Sequence, residues 1–229
     1  DLMSKISLVV PSKNEKESLS SVLTELIKYK SIIGEIIIVV DDVNDNSIPV
    51  ARNFDCKIII QENKGFGAAI IEGFKNAEYQ FGCIFNADYS MDPKYLSMLI
   101  EISKNADFVF GSRYTNDNES GSNDDDIITF IGNRVFSFMT NKLLGINLND
   151  ILYTYVLCNV KKFNMLNLEK NDFTLCIELP VKIKKNKFSY SEISMRERKR
   201  FGGTKKVRVL KDGFLILLEI LKSVKYLIK

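Results

Sequence analysis

Five short apolar runs constrain this chain most: Ile6–Val10, Glu35–Val40, Cys56–Gln61, Phe81–Phe85 and Asp107–Phe110. They are rich in β-branched and aliphatic residues and lack polar alternation, so each reads as a strand covered on both faces. Segments of helical period separate them. Ser18–Tyr29 carries Leu19, Val22, Leu23, Leu26 and Ile27 on one stripe, and Ile48–Phe54, Ala68–Ala77 and Pro93–Ser103 are shorter helices. This alternation predicts an α/β fold with a mostly parallel central sheet and helices on both faces. Further on, Asn116–Asp126 is polar and rich in Gly, Ser, Asn and Asp, which predicts a mobile loop of the kind that forms lids. Ile127–Leu144 and Phe173–Lys185 read as helices, and a strand is expected around Phe188–Ile193. Asp212 is placed to cap a last apolar helix, Gly213–Ile228. The expected organisation is one domain over residues 1–229, with halves 6–115 and 116–211 and a terminal helix at 212–229.

Composition narrows the chemistry. The chain has 229 residues and no histidine. Histidine metal ligands, Ser-His-Asp triads and histidine bases are therefore excluded, and acid–base work falls to Asp, Glu, Lys, Tyr or Cys. A net charge of +3 is too small to argue for a nucleic-acid partner. Its distribution is uneven. Between Lys182 and Lys211 the basic residues are opposed only by Glu192 and Glu197, whereas Asp124-Asp125-Asp126 is an acidic run. Such asymmetry suits an anionic ligand or a membrane surface. Cys56, Cys83, Cys158 and Cys176 have no CxxC spacing and read as reduced core residues, so a cytoplasmic location is expected. No apolar run approaches the ~20 residues of a membrane span.

Three strand ends carry polar clusters in order: Pro11–Glu15, Asp41-Asp42 and Asn86-Ala87-Asp88. In a doubly wound sheet such ends converge on one crevice. A carboxylate such as Asp41 can accept hydrogen bonds from ribose hydroxyls or a base N–H. Asp88 can hold a hard divalent cation that bridges to phosphate oxygens. Gly65 and Gly67 allow close backbone approach, and Arg113, after the fifth strand, suits phosphate or sugar hydroxyls. Any one of these is equally an ordinary turn residue or surface ion pair.

Here the chain resembles a known family. Val9-Val10-Pro11-Ser12-Lys13-Asn14-Glu15 is similar to the V-V-P-x-x-N-E opening of family 2 glycosyltransferases. Ile37–Asp42 resembles their I-V-V-D-D motif, and Asn63-Lys64-Gly65-Phe66-Gly67-Ala68-Ala69 their N-x-G-x-G-A-A element. Asn86-Ala87-Asp88 stands at their D-x-D metal motif, and Gly111-Ser112-Arg113-Tyr114 at their G-S-R-Y. The match runs from about residue 6 to 115 and is most similar to the dolichyl- or polyprenyl-phosphate mannose synthase branch.

The resemblance implies a GT-A fold, a UDP- or GDP-sugar donor, Mg²⁺ or Mn²⁺ as cofactor, and transfer with inversion. Pro11, Ser12, Asn14, Glu15, Asp41, Asp42, Asn63, Lys64, Gly65, Asn86, Ala87 and Asp88 would bind the nucleotide-sugar, with Asp88 as metal ligand. Asn86 replaces an acidic residue and adds no charge; Ser90 is placed to add an oxygen. Arg198, Arg200 and Lys205 fall at a basic R-x-x-G-x-S-K element that would cover phosphate. Asp88, Arg113 and Asp150 are the candidate catalytic residues. Asp150 is either a base for an acceptor hydroxyl or a helix cap.

Two departures stand out beyond residue 115. Asp124-Asp125-Asp126 replaces an Arg-rich segment, and Asp150-Ile151-Leu152-Tyr153-Thr154-Tyr155-Val156 keeps only the first residue of D-x-x-S-G-F-R. The acceptor is left open between a polyprenyl phosphate and a growing surface glycan. The basic stretch beside an apolar helix also fits peripheral docking on the inner face of a cell membrane, or pairing with a second copy. Two alternatives remain at this point: an inactive nucleotide-sugar-binding module and a sugar-phosphate nucleotidyltransferase. The latter is disfavoured because Pro11–Glu15 has no glycine.

Overall fold

The computed structural model describes residues 5–115, 117–201 and 209–228. The first five strands form where the apolar runs fall: β1 (Ile6–Pro11), β2 (Ile33–Val40), β3 (Lys57–Ile60), β4 (Phe81–Ile84) and β5 (Phe108–Ser112). Helices α1 (Lys16–Leu26), α2 (Ser47–Arg52), α3 (Phe66–Lys75) and α4 (Leu96–Ile102) connect them. The second half adds β6 (Gly121–Ser122), α5 (Ile127–Leu144), β7 (Val156–Asn159), α6 (Val160–Met165), α7 (Leu175–Lys185), β8 (Tyr190–Ser194), β9 (Arg196–Glu197) and α8 (Val209–Ile228).

Seven strands form one sheet in the order β3-β2-β1-β4-β7-β5-β8. All neighbours are parallel except β7, which runs antiparallel to both β4 and β5. Because side chains alternate along a strand, each strand feeds two cores. Leu8, Val10, Ile38, Val40 and Cys83 face α1, α2 and α4, whereas Val9, Ile37, Val39 and Ile84 face α3, α6, α7 and α8. The expected mostly parallel α/β fold is therefore present. Chain direction across the sheet reverses between β1 and β4, because β2 and β3 lie on one side of β1 and β4 on the other. That switch point is where an open sheet leaves a crevice for a ligand.

Several details differ from expectation. The polar segment before α5 is tied down rather than a free loop: β6 pairs with β9, and Asp126 caps α5 by accepting from the Thr129 N–H at 2.8 Å. The last helix starts at Val209, so Asp212 lies in its first turn and is not its cap. The strand β7 and helix α6 were not anticipated. All four cysteines are free thiols, and burial raises the pKa of Cys83, Cys158 and Cys176.

Candidate active site

A cavity of about 630 Å³ opens over the carboxyl ends of β1, β2 and β4, with Arg113 from the end of β5 at its back. This volume falls within the range of ordinary small-ligand sites. Pro11, Ser12 and Glu15 line it, while Asn14 does not. The loop after β1 is held from beneath. Asp45, 4% exposed, accepts from the Asn14 N–H at 3.2 and 3.0 Å, and Asn14 has a left-handed backbone with φ 55°. Ser47 Oγ accepts from the Glu15 N–H and from Ser12 Oγ, at 3.0 and 2.9 Å. Asp45 and Ser47 thus shape the site without lining it.

Of the pair after β2, Asp41 lines the cavity and meets Lys13 Nζ at 2.5 Å. Asp42 is exposed and accepts from the Asn44 N–H at 2.8 Å, so it closes its own turn. Lys64 and Gly65 reach the cavity wall, but Asn63 does not; its N–H donates to Glu72 at 3.0 Å. Both glycines let the backbone pack closely on residues 170–172. Gly65 has φ +124°, and a Cβ on it would lie 2.2 Å from the Asn171 carbonyl oxygen. A Cβ on Gly67 would lie 2.1 Å from the Lys170 carbonyl oxygen. Gln61, not singled out from the sequence, is buried in the wall and donates to the Asn63 and Gly65 carbonyls.

Asn86, Ala87 and Asp88 form the floor after β4. The turn is tight: Tyr89 has φ 72°, and the Ser90 N–H donates to Asp88 Oδ1 at 3.0 Å. A basic strap at 196–201 runs alongside it. The Arg198 N–H donates to the Ser90 carbonyl at 2.9 Å and the Phe201 N–H to the Asp88 carbonyl at 3.0 Å. The Arg198 guanidinium donates to both Glu25 oxygens at 3.0 Å, to the Met91 and Tyr89 carbonyls, and stacks over the Tyr89 ring at 4.0 Å. With its donors so engaged, Arg198, expected to bind phosphate, clamps the strap and stands outside the cavity lining. Arg200 does line the cavity. Lys205 lies outside the described residues.

Arg113 and Asp150 also depart from their expected roles. Arg113 is 7% exposed, and its Nε and Nη2 donate to Asp150 at 2.7 and 3.0 Å. Its Nη1 donates to Glu197 at 3.1 Å and faces Asp125 at 3.4 Å. The guanidinium lies over the Tyr114 and Tyr153 rings, 5.0 and 4.6 Å from their centroids. Burial alone would lower the Arg113 pKa, but Asp150 and Glu197 hold it well above its usual value. Burial raises that of Glu197, against the pull of Arg113. Asp150 is wholly buried, does not line the cavity, and has both oxygens on Arg113. The pair is a bidentate structural bridge tying β5 to the segment before β7.

The opposite wall comes from α5 and α8, through Ile128, Thr129, Gly132, Asn133, Phe136, Gly213 and Ile216. The outer faces of the same helices expose Ile127, Ile131, Phe138 and Phe214, each more than half accessible.

For a divalent cation the donor set is lean. Among the described residues no cluster of three or more acidic, Cys or His side chains could hold a metal. Asp88 is the carboxylate on the floor, and nearby Ser90 Oγ is a buried hydroxyl without a hydrogen-bond partner among the described residues. The turn after β4 offers one carboxylate, the cavity's other acidic side chains standing on other elements, and this fits a Mg²⁺-like ion that keeps waters and is otherwise held by substrate phosphates. It does not fit an all-protein cage.

A doubly wound sheet with this crevice at its switch point places the molecule in the GT-A class of nucleotide-sugar folds. Residues 7–166 match the family described as Glycosyl transferase family 2, and the chain belongs to that family. Among curated relatives, dolichol-phosphate mannosyltransferase of Pyrococcus furiosus is 31% identical over 117 residues, covering 48% of this chain and 33% of the relative. An uncharacterized glycosyltransferase of Mycobacterium tuberculosis is 30% identical over 110 residues, covering 47% of this chain and 48% of the relative. The matched region thus spans between a third and a half of these relatives. The fold is shared with glucosyl-3-phosphoglycerate synthase of Mycobacterium tuberculosis, solved with Mn²⁺, UDP and glucosyl-3-phosphoglycerate. There the TM-score is 0.74 at 13% identity, over 97% of this chain and 80% of that one. For mannosyl-3-phosphoglycerate synthase of Rubrobacter xylanophilus the values are 0.74 and 15%, over 97% and 74%.

Proposed function

We propose that this protein transfers a hexose from a UDP- or GDP-sugar to a polyprenyl phosphate at an anionic membrane surface. One observation carries the acceptor: the cavity is walled by α5 and α8, whose outer faces are apolar. The exposed charges of these two helices, Arg134, Lys142, Lys211, Lys222 and Lys225, are all positive among the described residues. An apolar face rimmed by cations suits the boundary of an anionic leaflet. No described helix is long and apolar enough to cross a membrane, so the reading is of a surface contact.

In this reading Ser12, Glu15 and Asp41 receive the nucleoside, and Asp88 with the diphosphate and water holds Mg²⁺ or Mn²⁺. The cation supplies Lewis-acid stabilisation of the leaving diphosphate. Arg200 adds a second positive charge beside that leaving group, where charge develops as the sugar departs. A phosphate acceptor is already ionised and needs no base, which agrees with an Asp150 held on Arg113 outside the cavity lining. A second reading, a small phosphorylated acceptor, is favoured by the phosphoglycerate seen in the solved relatives. Purified protein is to be incubated with a panel of UDP- and GDP-sugars and Mn²⁺, with either polyprenyl phosphate in vesicles or 3-phosphoglycerate as acceptor. Labelled sugar is expected in the lipid phase. Transfer only to 3-phosphoglycerate selects the second reading, and donor binding with neither transfer nor donor hydrolysis selects an inactive module.

A further inference from the structure

Arg200 stands between two carboxylates of the cavity. Its Nε and Nη2 donate to Asp124 Oδ2 at 2.9 and 2.7 Å, and its backbone N–H faces Asp124 Oδ1 at 3.3 Å. Its Nη1 lies 3.8 Å from Asp88 Oδ2, within ion-pair range but beyond a hydrogen bond. The guanidinium is therefore seated on Asp124 and only adjacent to Asp88. Its backbone is pinned on both sides, by the Arg198 and Phe201 N–H groups on Ser90 and Asp88 and by the Arg198–Glu25 bridge. With the backbone tied at 198 and 201, the Arg200 side chain is within reach of either carboxylate. Asp124, at 7% side-chain exposure, is the more buried of the two, and Asp88 has 18%.

This choice matters because the floor is poor in charge. Asn86 is neutral, so the turn after β4 offers a divalent cation one carboxylate. A guanidinium closing on that carboxylate would occupy its oxygens and repel the ion. We propose that Asp124 is a positioning residue: by seating Arg200 it keeps Asp88 open to a divalent cation. Asp124, first of the acidic run, thus offsets Arg200 of the basic strap. The inference rests on the reading of Asp88 as the cation's ligand.

The test is Mn²⁺ titration of the full chain without nucleotide, followed by the EPR signal of free aqueous Mn²⁺. Asp124→Asn is expected to weaken Mn²⁺ binding roughly tenfold, a coupling typical of side chains in one ion-pair network. Adding Arg200→Gln to that variant is expected to restore wild-type binding or better, and Arg200→Gln alone to tighten it severalfold. A merely structural Asp124 would leave the double variant as weak as the single one, and that result overturns the proposal. So does an unchanged Asp124→Asn. If circular dichroism shows that Asp124→Asn does not fold, Arg200→Gln decides alone, and unchanged binding overturns the proposal. Wild-type protein that binds no Mn²⁺, or Asp88→Asn that binds it as well as wild type, overturns the metal reading together with this one.

Discussion

At the scale of single residues, the site divides into groups that touch the cavity and groups that hold it. Asp88 belongs to the first and Asp150 to the second, although both are carboxylates that follow apolar segments. Asp88→Ala is expected to fold with wild-type stability and to lose nearly all transfer. Asp150→Asn leaves Arg113 with an incomplete bridge in a buried setting and is expected to cost ~3–5 kcal/mol in stability, the range for breaking a buried ion pair. Urea unfolding of both variants beside a transfer assay checks the pair; an Asp150→Asn that is stable yet inactive would return that residue to the chemistry. The sequence made Asp41 and Asp88 legible because strand ends and their order are local facts. Arg113 was legible as a strand-end residue, but its partners were not. Asp150 lies 37 residues on and Glu197 84 residues on, and burial, which decides between a phosphate ligand and a bridge, is a property of the assembled fold. The strap was similar: Arg198 and Arg200 look alike in sequence, yet one faces Glu25 outside the cavity and the other lines it.

Among the elements, α3 and α5 set the two sides of the cavity, and a glycine on each gives opposite expectations. Gly67, in the first turn of α3, approaches the backbone of residues 170–172, where added atoms would press on carbonyl oxygens that cannot yield. Gly67→Ala is expected to destabilise by ~1–3 kcal/mol through overpacking. Gly132, inside α5, has nothing within 4 Å of an added Cβ. Gly132→Ala is expected to stabilise by ~0.5–1 kcal/mol through helix propensity. Thermal melts of the two variants give the sign of each. The bounds of α5 were readable because Asp126 caps its start and Gly145, with φ +60°, ends it. The strand β7 was not readable: it has four residues, and its neighbour Tyr155 is buried against Phe85 rather than marking a turn. The β6–β9 pairing is not legible in sequence because two-residue strands carry no periodicity.

For the whole molecule, the sheet organises one crevice, and the α5–α8 pair gives the particle a sided surface with apolar residues and cations together. If that side meets a bilayer, the protein should sediment with vesicles containing anionic lipid, and binding should fall as salt screens the cations. Ile131→Glu with Phe138→Glu is expected to reduce bound protein at least tenfold while leaving UDP binding in the crevice intact; equal sedimentation of this variant would remove the membrane from the reading. The sheet also constrains how the chain reaches its fold. The strand β7 is laid between β4 and β5, so Gly82 pairs with Cys158 and Val109 with Leu157. Strands made early in synthesis must therefore wait, with open edges, for one made much later. Residues 6–115 cannot close their sheet as the ribosome releases them; it is completed by β7, and the two parts of the chain are committed to folding as one late, slow, non-local event.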